Sequence, residues 1–132
     1  MPSHYRLDAR RNWMPTAFTG SLTVGEIRAH LEQESRDGLT GRAELIDITA
    51  AQVALTPAEV REIIEVMRDY GSRLPLGPAA ILVKDDFSYG MARMLEMLIE
   101  DVCEVRPFRT LAEAEKWLQQ ARTRPGPARI RC

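Results

Sequence analysis

Two short apolar runs, AELIDIT at 43–49 and AAILVKD at 79–85, constrain the fold more than anything else in the chain. Each is rich in Ile, Leu and Val, each is bounded by turn residues, and a helix-length segment separates them. An almost continuous apolar run belongs to a strand buried on both faces, and parallel strands need a crossover rather than a tight turn. The pair therefore predicts a β-α-β unit with a right-handed crossover. The intervening segment fits. Pro57 follows Thr56 at its start, Val60, Ile63, Ile64 and Met67 recur at helical spacing, and Arg61, Glu62, Glu65 and Arg68 fill the gaps, so one face is buried and the other is wet.

Thr56 stands three residues before Glu59, and the same spacing recurs at Thr23 with Glu26 and at Thr110 with Glu113. Threonine and glutamate at that distance form a capping box: the hydroxyl accepts from a first-turn amide, and the carboxylate reaches back to the cap's own amide. Apolar residues follow at helical spacing in both other cases, Val24, Ile27 and Leu31 after Thr23, and Leu111, Ala114, Trp117 and Leu118 after Thr110. At the front, YRLDA and PTAFTG flank the turn-like RRN and predict an opening hairpin, with Pro15 at the start of its second strand or weakening it. CEVRPF, at 103–108, predicts a short edge strand, because Pro107 has no amide hydrogen for a second ladder. The order β-β-α-β-α-β-α-β-α describes an α/β domain with a mixed sheet of about five strands flanked by about four helices. It is expected over residues 1–121, followed by a basic tail at 122–132 that reads as a solvated, disordered end.

No apolar run reaches the length of about eighteen residues that a membrane helix needs, and MPSHYRLDARRN lacks the apolar stretch of a secretory signal. A cytoplasmic protein without stable membrane insertion is expected. The spacing of Cys103 and Cys132 suits neither a disulfide framework nor a metal site, so both read as reduced thiols. Arg122, Arg124, Arg129 and Arg131 crowd the last eleven residues of a chain with formal net charge -1. The body is therefore acidic, which argues against a nucleic-acid footprint. GSLTVG lacks the Lys-Ser or Lys-Thr of a phosphate loop, no GxGxxG or GxSxG occurs, and His4 and His30 lie near no Ser or Cys elbow. Neither catalytic residues nor a metal or other cofactor is predicted.

The densest stretch is VKDDFSYGMARMLEMLIED, at 83–101. On a wheel of about 100 degrees per residue, Phe87, Met91, Met94, Leu95 and Leu98 share one side and predict the core face. Tyr89 and Arg93 fall opposite, with Met97 on the flank, and these three mark a candidate interaction surface, since Tyr and Arg are enriched where proteins meet. Asp85 and Asp86 end one parallel strand and Asp47 closes its neighbour. They are candidate ligand positions, because open α/β sheets bind ligands at the carboxyl ends of their strands. Capping is the plainer role: Asp86 or Ser88 at the start of the third helix, and Thr56 at the second.

With this order in hand, LIDIT, AAILVKDDFSYGMARMLEMLIED and VRPFRTLAEAEKWL resemble the SpoIIAA-like branch of the STAS domains, sometimes grouped as STAS/Sec14, over about residues 5–121. The resemblance implies a mixed sheet flanked by helices and a regulatory or protein-binding role without catalysis. Anti-sigma-factor antagonists of the wider family carry a phosphorylatable serine in an Asp-Ser-Ser-Gly type motif at the helix start after the strand matching LIDIT. Here that region reads DITAAQVALTPAEV, where Thr56 is the nearest hydroxyl and the motif is missing. A regulatory module that binds a protein partner or forms a homodimer is the leading expectation. The alternative is a carrier of a small amphiphilic, lipid-like or nucleotide-like ligand, in a pocket near the sheet and third helix lined by Met91, Met94 and Met97. A receiver-like acid cluster of Asp47, Asp85 and Asp86 is a third, weaker expectation, since the strand-end lysine of receivers is missing.

Overall fold

The computed structural model describes residues 3–5, 13–74 and 76–123, with backbone alone for 3–5, 122 and 123. The elements are β1 (Ser3–Tyr5), β2 (Trp13–Phe18), β3 (Gly20–Ser21), α1 (Val24–Arg36), β4 (Ala43–Asp47), β5 (Ala51–Gln52), α2 (Pro57–Gly71), β6 (Ala79–Leu82), α3 (Asp86–Leu98), β7 (Val105–Phe108) and α4 (Leu111–Thr123). The main sheet has the order β1-β2-β4-β6-β7. Strands β2, β4, β6 and β7 run parallel, and β1 is antiparallel on the outer side of β2. This is the α/β class predicted, with the expected mixed sheet of five strands. Pairing of β3 with β5 was not anticipated; it is a parallel ladder of two residues per strand, too short to print a period on the sequence.

The apolar runs behave as doubly buried strands should. Along β6, Ala79 and Ile81 face one core cluster while Ala80 faces a second. The first cluster takes in Val60, Ile63 and Ile64 of α2 and Ala92 of α3, with Val24 and Ile27 of α1 packed against it. The second is closed by Ala114, Trp117 and Leu118 of α4. Three helices thus cover one face of the sheet and one helix covers the other. Strand β7, with Pro107, is at the edge as predicted. Pro15 lies inside β2, opposite Leu45 of β4 and one residue before the stretch Thr16–Phe18 that β1 pairs with. The first described strand lies at 3–5, and residues 6–12, which hold most of the expected YRLDA strand, lie outside the described residues.

The cap positions follow from local chemistry. Glu26, Glu59 and Glu113 donate their amides to Thr23, Thr56 and Thr110, and the reciprocal glutamate bond closes the full box at Thr56. Helix α4 continues to Thr123, past the boundary expected at 121, and residues 124–132 of the predicted tail lie outside the described residues.

One prediction about α3 is corrected. Phe87 and Leu98, placed on the core face, are 55% and 44% exposed, while Ser88, Ala92 and Ile99 are buried. The helix is turned by roughly a quarter of a revolution, at about 100 degrees per residue, from the orientation that its largest side chains suggest. Ser88 and Ala92 let the helix approach the sheet closely; Met91, Met94 and Leu95 pack against the first cluster as predicted, while Phe87 and Leu98 are turned outward.

Candidate functional site

The apolar periodicity of α1 carries two polar interlopers. His30 and Glu34 are one turn apart, so their side chains share a face, and that face is the one packed on the sheet: both are buried, at 5% and 4% exposure. From below, alternation along β4 sends Ala43 and Leu45 toward α4 and Glu44, with Ile46, toward α1. The three side chains meet. His30 Nε2 is 2.6 Å from Glu44 Oε2 and 3.2 Å from Glu34 Oε2, and Glu44 is only 8% exposed. Thr16 of β2 donates its hydroxyl to the same Glu44 oxygen at 2.5 Å, and the Phe18 ring meets the imidazole edge-on with centroids 5.4 Å apart.

Burial of this group has electrostatic consequences. Desolvation alone would pull the His30 imidazole down, but hydrogen bonds to Glu34 and Glu44 and the charges of both outweigh it and raise the pKa to about 10. Burial pushes Glu34 up to about 8, against the opposing hydrogen bond from His30. The cluster therefore holds protons that the same groups would release in water.

Beside the cluster lies a cavity of about 120 Å³ between the sheet and the layer formed by α1, α2 and α3. Its walls are Ile, Leu, Val, Phe and Met side chains, including Ile63, Met67, Met91 and Leu95, and its polar lining comes from His30, Glu34, Glu44, Thr40 and Arg42. Arg42 is exposed, so the lining reaches the surface near the amino end of β4. At that end the chain before β6 crosses tightly under the chain before β4: the Gly77 amide donates to Thr40, and a Cβ on Gly77 would stand 2.3 Å from the Arg42 carbonyl oxygen. Only glycine fits there.

The residues singled out from the sequence are placed differently. Asp47 turns its carboxylate back onto the amide and hydroxyl of Thr49. Asp85, rather than Asp86 or Ser88, caps α3: it accepts from the Ser88 amide at 2.8 Å, and that bond holds its carboxyl below the usual range. Asp86 is exposed and pairs with Arg109 at 2.8 Å. Among the described residues, Asp47, Asp85 and Asp86 do not converge as a ligand group, and His30, Glu34 and Glu44 do. Thr56 is engaged by its capping box. Tyr89 is half-buried against the core rather than exposed, with the Arg109 guanidinium 4.6 Å above its ring. Arg93 is exposed and bonds Glu96 at 2.7 Å, and Met97 is 64% exposed. Of the three methionines expected along a pocket, Met91 lines the cavity, and Met94 and Met97 do not. Cys103, a buried thiol, also contributes to the lining.

No protein-family model matches this sequence, and no curated relative matches it. A solved structure does match: an uncharacterized protein of the DUF3478 family with a SpoIIAA-like fold, from Shewanella loihica PV-4. The two superpose with a TM-score of 0.59 at 18% identity, over 88% of this chain and 91% of that one. The fold is SpoIIAA-like. The resemblance seen in LIDIT, the YGMAR helix start and the terminal VRPF segment therefore holds at the level of fold. Among the described residues, no helix of this SpoIIAA-like domain is long and apolar enough to cross a membrane.

Proposed function

We propose that this SpoIIAA-like chain is a cytoplasmic, non-catalytic binding module that holds one compact, largely apolar ligand in the cavity under α1, α2 and α3. The observation that carries the reading is the lining: apolar walls throughout, with His30, Glu34 and Glu44 grouped as polar anchors. Such a wall supplies affinity by burial, and a few placed polar groups supply orientation. Volume limits the ligand. An apolar void of roughly 150 Å³ takes a single benzene-sized ring, so about 120 Å³ suits one small ring or short chain unless the flexible Met67 and Met91 give way. A hydrogen-bond-donating end suits the carboxylates.

Native mass spectrometry of the protein as purified tests this. The expected result is a reproducible small adduct, lost in Ala79→Leu, which fills the cavity from β6. If the protein carries no added mass and no compact apolar amine, alcohol or aromatic raises its melting temperature, the reading fails, because a ligand of the native state must stabilise it.

A second reading, a protein-binding role, is favoured by one observation: Phe87, Met97 and Leu98 stand 55%, 64% and 44% exposed along one side of α3. Large apolar side chains gathered on one surface mark contact sites more often than singles do. Loss of self-association or partner capture in Phe87→Ser with Met97→Ser supports this reading, and unchanged behaviour of that double variant removes it.

A further inference from the structure

We propose that His30, Glu34 and Glu44 form a binding site for a first-row divalent transition metal ion of the Zn²⁺ class, with a coordination position open to the cavity. This goes beyond the ligand-binding reading and does not depend on it.

A helix turn supplies His30 and Glu34 side by side, and the facing strand supplies Glu44, so one nitrogen and two oxygens approach a common point from different directions, all within 4.8 Å of one another. Metal bonds of about 2.0–2.2 Å place neighbouring ligand atoms roughly 3.0–3.5 Å apart in octahedral or tetrahedral sites. The 3.2 Å between His30 and Glu34 already meets this, and the 2.6 Å between His30 and Glu44 needs the carboxylate to draw back by roughly 0.4–0.9 Å. An ion would then take the place of the proton shared between them.

The donor set selects the ion. Calcium asks for six to eight oxygens, and magnesium for near-ideal octahedral oxygen coordination. One imidazole with two carboxylates suits the borderline ions from manganese to zinc. Charge agrees, since two carboxylates and a neutral imidazole carry two negative charges that a dication cancels. The same carboxylates without a partner would be costly in so apolar a place. An outer partner is present as well: Thr16 donates to Glu44 and fixes the carboxylate's direction, as second partners do in metal sites. Finally, three protein ligands beside a cavity leave a vacant side, the arrangement that separates open sites from closed structural ones.

The competing explanation is a purely structural ion-pair network, and titration of the chelator-stripped full chain with Co²⁺ and Zn²⁺ separates the two. The expected result is one equivalent bound, visible Co²⁺ d–d absorption, and a melting temperature raised by at least about 5 °C at a hundredfold excess over Kd. Glu34→Gln and Glu44→Gln, which keep size and one acceptor oxygen, are expected to weaken binding at least tenfold. Should either variant fail to fold, Mn²⁺ broadening of wild-type NMR signals gives the same answer, with the effect centred on His30, Glu34, Glu44 and Thr16. No stoichiometric binding, binding unchanged in both glutamine variants, or broadening centred elsewhere overturns the proposal. An adduct in native mass spectrometry without metal binding leaves the ligand reading standing and removes only this one.

Discussion

The two faces of the sheet are built to different rules. On the α4 side, Trp13, Ala43, Leu45, Ala80, Ala114, Trp117 and Leu118 pack as a small apolar cluster. Beneath α1, α2 and α3 the core is larger, yet it holds the cavity and admits an imidazole and two carboxylates. The difference teaches where close packing gives way to space. A single amphipathic helix closes its face by direct interdigitation, whereas three helices over the same sheet leave space at their junction, and polar groups are admitted beside that space.

The sharpest way to break the comparison is to open the dry face. Leu118 is fully buried there, and Leu118→Ala should cost about 2–5 kcal/mol, the usual range for a leucine deleted from a close-packed core. Urea unfolding followed by circular dichroism would report it as a lower midpoint at constant slope.

Acid–base behaviour should belong to the cavity face. His30 and Glu34 both have folded pKa values above their ordinary ones, at about 10 and about 8. The native state therefore binds more protons than the unfolded chain between the ordinary values and the raised ones, and stability falls as pH rises across that window. The contribution is fully present below about pH 4.5 for Glu34 and 6.5 for His30, and is lost as pH climbs through about 8 and then 10. A loss on the order of a few kcal/mol between pH 6.5 and 10 is expected in the metal-free protein, and its pH slope should flatten in His30→Gln. A wild-type melting temperature that is flat or rising over this range would contradict the cluster's protonation.

Adjacent alanines on β6 sharpen the contrast within a single strand. Ala80 faces α4 at zero exposure, and Ala80→Val should overpack that face at a cost of about 1–3 kcal/mol. Ala79 lines the cavity, and Ala79→Val has room for its methyl groups, so its stability should stay within about 0.5 kcal/mol of the parent. Equal costs would mean that the cavity closes in solution.

The smallest effect lies at the surface. Thr56→Ala removes the hydroxyl half of the α2 capping box and should cost about 1 kcal/mol, measured by the same urea titration.

How much of this was legible depends on distance along the chain. The runs AELIDIT and AAILVKD announced buried parallel strands because a strand covered on both faces has no polar side to display. Glu44, a charge inside the first run rather than at its carboxyl end like Asp47, was the available signal for the site, and HxxxE on the inner face of α1 was its complement. Neither is informative alone, since an isolated acid in a strand or histidine in a helix is common. The α3 orientation was misread because the wheel follows the largest side chains, while packing chose Ser88 and Ala92 for close approach to the sheet.

By itself, then, the sequence determined what local chemistry controls. The three threonine caps act over three residues, the helical and strand periods are set by backbone geometry, and the β-α-β order follows from chain length and handedness. Tertiary structure alone decided that Thr16, His30, Glu34 and Glu44 share one buried point. That meeting depends on the register of β2 against β4, with Thr16 opposite Ile46, and on the angle at which α1 settles over them. Both are set by the packing of the whole core, which no local pattern encodes.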